Sequence, residues 1–250
     1  MVRGIKTKRK ELPLIHLFPN ALTLAAICAG LTAIRLSALG SVDLAVALII
    51  LACVLDGLDG RVARALGIES LIGAELDSLA DFLNFGIAPA LILYFWSLQS
   101  APEIGWIAVL AYALCCVLRL ARFNVGMKSD DGPDKRFFQG VPSPAGALLA
   151  LAPFFLHRAL PGFPTVPPVA IAGYLVLVGL LMVSNLPTFS LKSERIYVDH
   201  APYVLLSAAA GLAALAVYPW TTLALFDAGY LMSLAFAYRA SKKRIADPEV

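Results

Sequence analysis

Long apolar stretches separated by short polar breaks fill most of the chain. A helix needs roughly 20 mostly apolar residues to cross about 30 Å of hydrocarbon. Eight stretches approach or meet this length, and proline or glycine stands at many of the breaks, where helices commonly end. They lie at 18–39, 43–64, 73–98, 104–123, 143–160, 166–185, 201–218 and 221–238. The pattern therefore predicts an all-α polytopic membrane protein with about eight transmembrane helices.

The composition favours a membrane protein over a soluble one. Hydrophobic residues make up 60% of the 250 residues and charged residues 15%, whereas soluble proteins average about 45–50% and about 25%. A soluble domain of this length could not hide so much apolar surface. The net charge of +3 is too small to indicate nucleic-acid binding. The four cysteines lie in apolar stretches without CxxC spacing, which favours free buried thiols.

Lysine and arginine are distributed unevenly about the predicted helices. With eight spans both termini lie on one side, and all but Arg35 and Arg158 of the 20 basic residues fall on that side. The positive-inside rule makes it the cytoplasmic side, in the inner membrane if the chain is bacterial. A missed or additional span would scramble this distribution, so the charges support the number of spans as well as their orientation.

This topology divides the chain into three parts. Residues 1–17 are basic, and they either lie along anionic lipid as an interfacial helix or act only as a topology anchor. Residues 18–240 form a single transmembrane domain that carries the chemistry described below. Residues 241–250 form a cytoplasmic tail.

The second and third apolar stretches carry four aspartates, Asp56, Asp59, Asp77 and Asp81. Ionisable residues at membrane depth are costly and usually serve a function. In helical geometry Asp56 and Asp59 lie about 60° apart, while Gly73, Asp77 and Asp81 step by about 40° along one stripe. The connection between the two helices is only about eight residues, so they must be antiparallel neighbours. We therefore expect the four carboxylates to converge near the cytoplasmic end.

Such a cluster indicates metal-assisted chemistry. Four negative charges in a low-dielectric pocket require a cation or protons. Carboxylate ligation without histidine suits Mg²⁺ or Mn²⁺, and two such ions would form the arrangement used in phosphoryl transfer. Gly57, Gly60 and Gly73 would let helices or a ligand approach the backbone. Arg64 is placed to meet a phosphate at the membrane surface.

Two other interpretations of the aspartates are open. They could pair with the arginines for purely structural reasons, although four in register are hard to explain by packing. They could also belong to a cation transporter or proton relay, which would be expected to carry matching polar spans in both halves of the chain. The second half has only Asp199 and Asp227, so the pattern favours chemistry at one membrane face.

A longer motif, D-x-x-D-G-x-x-A-R-x₈-G-x₃-D-x₃-D, joins these residues. Its eight fixed positions are Asp56, Asp59, Gly60, Ala63, Arg64, Gly73, Asp77 and Asp81. The motif resembles the signature of the CDP-alcohol phosphotransferases, integral membrane enzymes of phospholipid synthesis. The first span, with Pro19, Asn20 and Thr23, is similar to theirs as well. The resemblance covers residues 18 to 146, and the rest of the chain matches only in general character.

The resemblance implies a function for each motif residue. Asp56, Asp59 and Asp77 would be ligands of two Mg²⁺ or Mn²⁺ ions. Asp81 would be the catalytic general base and a further metal ligand. The CDP group would be bound by the motif residues Asp59, Gly60, Ala63, Arg64 and Gly73.

Within the family, the stretches 122–124 (Arg-Phe-Asn) and 138–144 resemble the bacterial members that use L-serine. This implies transfer of the phosphatidyl group from CDP-diacylglycerol to the serine hydroxyl, giving phosphatidylserine and CMP. No nucleophile stands out beside the carboxylates, which favours direct displacement. The motif concerns only the CDP half of the reaction. The identity of the acceptor alcohol therefore stays open among serine, glycerol 3-phosphate, inositol and choline.

The carboxylate of serine needs a cationic partner. We expect Arg122 and Asn124, with Arg119, to contact serine or the pyrophosphate. The same arginines could instead serve only the positive-inside rule. The resemblance also implies a homodimer, and small residues at 207–216 would permit close helix packing within or between subunits. The expected partners are CDP-diacylglycerol, L-serine and membrane lipid, and no nucleic acid.

Overall fold

The computed structural model describes residues 17–68, 70–128, 137–162, 164, 166–184, 187–189 and 201–246. Most of these residues are helical. The helices are α1 (Phe18–Ala38), α2 (Val42–Leu66), α3 (Leu71–Asp81), α4 (Ala88–Trp96), α5 (Pro102–Lys128), α6 (Ser143–Ala159), α7 (Pro168–Val183), α8 (Ala201–Val217) and α9 (Pro219–Ala246). Each of the eight predicted apolar stretches is therefore helical, and the third is divided between α3 and α4.

A π-helical turn, Phe82–Ile87, joins α3 to α4 within one continuous helical segment. Such turns are rare and often lie at functional sites. This one begins directly after Asp81 and packs Asn84 against Gly30 of α1. Asn84 is 1% exposed, and within the described residues its side-chain amide has no hydrogen-bond partner. The apolar pattern predicts an uninterrupted helix here and does not reveal the turn.

Two short strands supplement the helices. β1 (Phe137–Gln139) and β2 (Pro187–Phe189) pair antiparallel, with Phe137 opposite Phe189. They connect the segment before α6 to the segment after α7. The all-α prediction omits this ribbon, because three residues are too few for the alternation of a strand to be recognised in a sequence.

Alanine lines the contact between α1 and α2. Ala26 and Ala29 of α1 form one buried cluster with Ala52 of α2. Apolar side chains gain little from leaving lipid, so helices in a membrane associate through close packing of small residues. The same contact places Thr23 of α1 beside Asp59 of α2. The apolar packing of the first two helices thus positions a polar pair.

Aromatic rings tie α4, α6 and α9 together at the end of the bundle away from the aspartates. Phe154 packs edge-on against Trp96 and Trp220, with ring centroids 5.4 and 5.3 Å apart. Edge-to-face pairs of this kind contribute about 0.5–1.5 kcal/mol beyond their buried area. At the same end Arg158 forms an ion pair with Asp43 at the start of α2.

Large apolar side chains are exposed along the outer helix faces, as expected of surfaces that meet lipid. Among the described residues, three segments are long and apolar enough to cross a membrane, Phe18–Ala38, Leu71–Trp96 and Pro102–Gly126. Pro168–Val183 and Leu205–Val217 are apolar but shorter. The count of eight transmembrane helices therefore stays a prediction, as does the three-part division of the chain. Nearly all of the basic segment 1–17, and residues 247–250 of the tail, lie outside the described residues.

Replacing Gly30 with alanine should destabilise the packing around the π-helical turn. An added Cβ would lie 2.0 Å from Asn84 Oδ1, and Asn84 is itself buried and has little room to move. We expect a loss on the order of 1–3 kcal/mol, as at other overpacked positions, seen as earlier thermal unfolding of the detergent-solubilised protein. Gly173→Ala in α7 is the matched control, since nothing lies within 4 Å of its added Cβ. Equal thermal stability of the two variants would contradict the packing described here.

Candidate active site

The site is built on the hairpin formed by α2 and α3. Gly67 ends α2 in the left-handed conformation, with φ of 63°, and its N–H donates to the Arg64 carbonyl. Glycine adopts this conformation without steric cost, so the chain can reverse directly after the helix. Ser70 then begins α3 by accepting a hydrogen bond from the Gly73 N–H at 3.0 Å. The local sequence thus brings the ends of the two helices together.

Asp56, Asp59 and Asp77, here called the carboxylate trio, meet across this hairpin. Each offers one oxygen, and the three oxygens lie within 4.8 Å of one another. Asp59 is 4% exposed. Its Oδ2 accepts a hydrogen bond from Thr23 Oγ1 at 2.6 Å, and its Oδ1 accepts one from the Gly60 N–H at 2.5 Å. These two donors fix the orientation of the Asp59 carboxylate.

Asp81 lies beside the carboxylate trio and contacts a different set of groups. Its carboxylate interacts electrostatically with that of Asp56. Asp81 Oδ2 accepts a hydrogen bond from Ser143 Oγ at 2.9 Å, at the start of α6. Asp81 Oδ1 is buried and has no hydrogen-bond partner within the part of the chain that the structure describes. One oxygen of Asp81 is therefore held by the protein, and the other is left to a ligand.

Of the three acceptor residues expected from the sequence, Arg119 is the one connected to Asp81. Arg119 Nη1 donates to Ser143 Oγ at 2.7 Å, which completes a chain from α5 through α6 to Asp81. Arg122 instead donates to the Val183 carbonyl at the end of α7, at 2.9 Å. Asn124 Nδ2 donates to Ser78 Oγ of α3 at 3.1 Å. The structure thus separates residues that the sequence grouped together.

The residues expected to bind CDP border the carboxylate trio. The Arg64 guanidinium lies over Gly60, with nitrogens 3.7 and 3.8 Å from the position that a Cβ would take, and it interacts with Asp77. Ala63 lies on the same helix, one residue before Arg64. A Cβ at Gly73 would lie 3.1 Å from Asn20 Oδ1 of α1. A side chain at either glycine would therefore narrow the approach to the trio.

A hard divalent cation fits this donor set. The trio supplies only oxygen atoms, which Mg²⁺ and Mn²⁺ prefer. Asp81 Oδ1 is buried, and the Asp81 carboxyl group lies close enough to that of Asp56 for their negative charges to repel each other. Buried groups of this kind are normally satisfied. A cation bound among the oxygens of the trio would oppose this repulsion.

Comparison with known proteins identifies the family of this chain. The CDP-alcohol phosphatidyltransferase family matches residues 16–185, and the chain belongs to this family. Members of the family generally use divalent metals. The match includes the hairpin, the carboxylate trio, Asp81 and Ser143, and it ends before α8 and α9.

Individual relatives share one activity in their names. A Mycobacterium leprae CDP-diacylglycerol–serine O-phosphatidyltransferase is 37% identical over 239 residues, covering 94% of this chain and 79% of the relative. A Helicobacter pylori protein of the same name is 37% identical, covering 69% and 71%. One from Bacillus subtilis is 34% identical, covering 58% and 80%.

Sequence reasoning gave no function to several polar residues that the structure buries. Thr23 and Ser143 lay within stretches noted for their family resemblance, and Ser143 contacts an aspartate 62 positions away. Asn84 carried no signal beyond being polar within an apolar stretch. Asp227 was visible as an ionisable residue in a predicted membrane helix, which is a signal in its own right.

Thr23→Val should weaken divalent metal binding. The variant keeps the side-chain shape but removes the 2.6 Å hydrogen bond that orients Asp59. Loss of a group that orients a metal ligand typically lowers affinity about 10- to 100-fold, and Mn²⁺ titration followed by electron paramagnetic resonance would measure it. Thr32→Val is the matched control on α1, because the Thr32 hydroxyl donates to the Cys28 carbonyl of its own helix. If both variants bound Mn²⁺ like the unmodified protein, Thr23 would have no influence on the site.

Proposed function

We propose that this protein transfers the phosphatidyl group of CDP-diacylglycerol to the hydroxyl of L-serine, releasing CMP. The observation that carries the proposal is the juxtaposition of the carboxylate trio with Asp81 on the α2–α3 hairpin. The chain belongs to the CDP-alcohol phosphatidyltransferases, and relatives that share 37% identity along most of it carry the name of this serine-specific reaction.

In this proposal Asp56, Asp59, Asp77 and Asp81 hold one or two divalent ions, Mg²⁺ or Mn²⁺. Bound there, such ions would supply positive charge to neutralise the pyrophosphate and the departing CMP. Arg64 adds a fixed positive charge at the rim, next to Asp77. Gly60, Ala63 and Gly73 leave room beside the trio for the nucleotide, with Asp59 at its edge.

Asp81 acts as the general base in this proposal. The serine hydroxyl is a weak nucleophile until its proton is removed, and a carboxylate oxygen within hydrogen-bond reach can take that proton. Asp81 Oδ1 is the oxygen free to do so, while Ser143 and Arg119 hold Oδ2 in place. The serine oxygen then forms a bond to the β-phosphorus, and the bond from that phosphorus to the CMP oxygen breaks. No covalent enzyme intermediate is required.

The membrane arrangement follows from the helices and the charges. The protein is an integral membrane protein with exposed apolar helix faces. We place the aspartates and both termini on the cytoplasmic side, with eight spans. The acyl chains of the donor would then stay in the bilayer while its polar head meets the hairpin from the cytosol. A homodimer belongs to the proposal on the strength of the family resemblance.

Removal of divalent metal should abolish the reaction. Because the carboxylates repel one another and the pyrophosphate unless cations lie among them, purified protein in excess EDTA should release no CMP from CDP-diacylglycerol and serine. Addition of Mg²⁺ or Mn²⁺ beyond the chelator should restore the rate. CMP release that continues undiminished in EDTA would remove the metal from the proposal.

Asp81→Asn should stop turnover while binding of the lipid donor persists. The amide keeps the size of the side chain but cannot accept the serine proton, and loss of a general base costs about 10²- to 10⁴-fold in rate. Ser143→Ala, which keeps the carboxylate and removes one hydrogen bond to it, should cost less. The measurements are CMP release and binding of radiolabelled CDP-diacylglycerol. Substantial activity in Asp81→Asn would show that another group takes the proton.

A further inference from the structure

The π-helical turn Phe82–Ile87 lies between the proposed general base, Asp81, and a proline near the start of α4. In an α-helix the carbonyl of Phe85 would accept a hydrogen bond from the N–H of residue 89. That residue is Pro89, which has no N–H. Phe85 is fully buried. A buried carbonyl without its usual helical donor is costly unless another group in the fold binds it.

Tyr112 of α5 supplies the missing donor. Its hydroxyl donates to the Phe85 carbonyl at 2.9 Å, and Tyr112 is itself fully buried. The ring of a phenylalanine would pack in the same apolar space, so the packing alone does not explain the hydroxyl. The hydrogen bond joins α5 to the π-helical turn at the carbonyl that Pro89 cannot reach.

Two more residues of α5 contact the region around Asp81. Tyr112, Cys116 and Arg119 lie at positions i, i+4 and i+7, which fall on one face of a helix. A Cβ added to Gly86 of the turn would lie 2.9 Å from Cys116 Sγ, so the turn and α5 are in close contact. Arg119 reaches Asp81 through the serine at the start of α6, with hydrogen bonds of 2.7 and 2.9 Å. One face of α5 therefore restrains both the carboxylate of the proposed base and the backbone that follows it.

The shape of the turn determines how α3 is rotated relative to α4. A π-helical turn contains about one residue more than an α-helical turn, so the helices on its two sides are offset by about 100°, the rotation of one residue. α4 is fixed by side chains buried in the main core, among them Ala88 and Ile92. The direction in which Asp81 points is therefore coupled to the turn that directly follows it.

We propose that Tyr112 is a positioning residue of the reaction, which holds the π-helical turn so that Asp81 faces the acceptor hydroxyl. The inference rests on the proposed function and deepens it by naming a residue that acts through the backbone. Without the bond to the Phe85 carbonyl, the turn loses a restraint directly after Asp81. Asp81 Oδ1, the oxygen left to a ligand, then moves away from the position at which it takes the proton.

Tyr112→Phe tests the proposal, because it removes the hydroxyl and keeps the ring. We expect kcat for CMP release from CDP-diacylglycerol and serine to fall about 10- to 100-fold, since displacing a reacting group by about 1 Å can cost about 100-fold in rate. The KM for CDP-diacylglycerol and the affinity for Mn²⁺ should stay within about threefold, because Asp56 and Asp59 lie on α2, outside the turn. The variant should lose turnover and keep binding.

Tyr174→Phe is the matched control. The Tyr174 hydroxyl also donates to a backbone carbonyl, that of Leu149 at 2.8 Å, but this bond joins α7 to α6 and does not involve the turn. Its kcat should stay within about twofold of the unmodified enzyme, even if the variant unfolds thermally as early as Tyr112→Phe does. An equal fall of kcat in both variants would show that lost stability alone lowers turnover, and it would overturn the inference.

Replacing the proline gives a readout that a packing defect would not change. Pro89→Ala restores an N–H four residues after Phe85, where it can donate to the carbonyl that Tyr112 binds. In this background Tyr112→Phe should lower kcat by less than about threefold, so the two changes are strongly non-additive. If Tyr112→Phe lowers kcat by the same factor with proline or alanine at position 89, the hydroxyl does not act through Phe85 and the inference falls.

Gly86→Ala displaces the same turn by another route, and it supplies the result if Tyr112→Phe does not fold. The added Cβ would lie 2.9 Å from both Cys116 Sγ and Phe82 Cδ2, so the turn or its neighbours must shift. We expect kcat to fall at least about fivefold with the KM for CDP-diacylglycerol unchanged. Gly173→Ala, whose Cβ meets nothing within 4 Å, should keep both values. An unchanged kcat in Gly86→Ala would contradict the coupling of the turn to Asp81.

Failure of the inference can be distinguished from failure of the proposed function. If the unmodified enzyme releases CMP with serine while Tyr112→Phe and Gly86→Ala keep its kcat, the inference falls and the proposed function stands. If the unmodified protein releases no CMP with serine, the proposed function fails and the inference falls with it.

Discussion

Repulsion among carboxylates brought together on one helical hairpin is the constraint on which the rest of the structure depends. Asp56, Asp59 and Asp77 bring oxygens within 4.8 Å of one another, and Asp81 adds a further buried oxygen beside Asp56. In a medium of low dielectric such an arrangement is stable only if cations or hydrogen-bond donors oppose the charge. The helices around the hairpin supply part of that opposition, and the remaining unmet oxygens define where ligands must bind.

Two of the three hydrogen-bond donors come from helices distant in sequence, and each donor binds one carboxylate oxygen. Thr23 of α1 and the Gly60 N–H hold Asp59, and Ser143 of α6 holds one oxygen of Asp81. Apolar packing between helices makes these hydrogen bonds possible. The alanines between α1 and α2 allow the approach that places Thr23 beside Asp59. Orientation of the metal ligands is therefore a product of helix packing as much as of the motif itself.

The helical period predicted the hairpin and its acidic faces well, because short-range geometry decides both. Residues four apart share a face, and a short connection forces two helices to be antiparallel. The helical periodicity could not predict which other helices pack against those acidic faces. Arg119 and Arg122 are three residues apart and about 60° apart around α5, yet one reaches Ser143 and the other the end of α7. That choice depends on where α6 and α7 pack, which no local pattern in the sequence specifies. The π-helical turn after Asp81 was missed for the same reason.

The two halves of the proposed reaction differ in how far a sequence can reveal them. A metal ion that binds the CDP group needs several oxygen ligands close together. The residues that supply them therefore lie on one hairpin, and their spacing is recognisable as a motif in the sequence. Recognition of a small acceptor needs only single polar groups that approach it from different sides, and the two residues that reach Asp81, Ser143 of α6 and Arg119 through Ser143, lie on separate helices. One such residue per helix leaves no spacing to recognise. Acceptor specificity can thus differ among proteins that share the same CDP motif, because the two sets of residues occupy different helices.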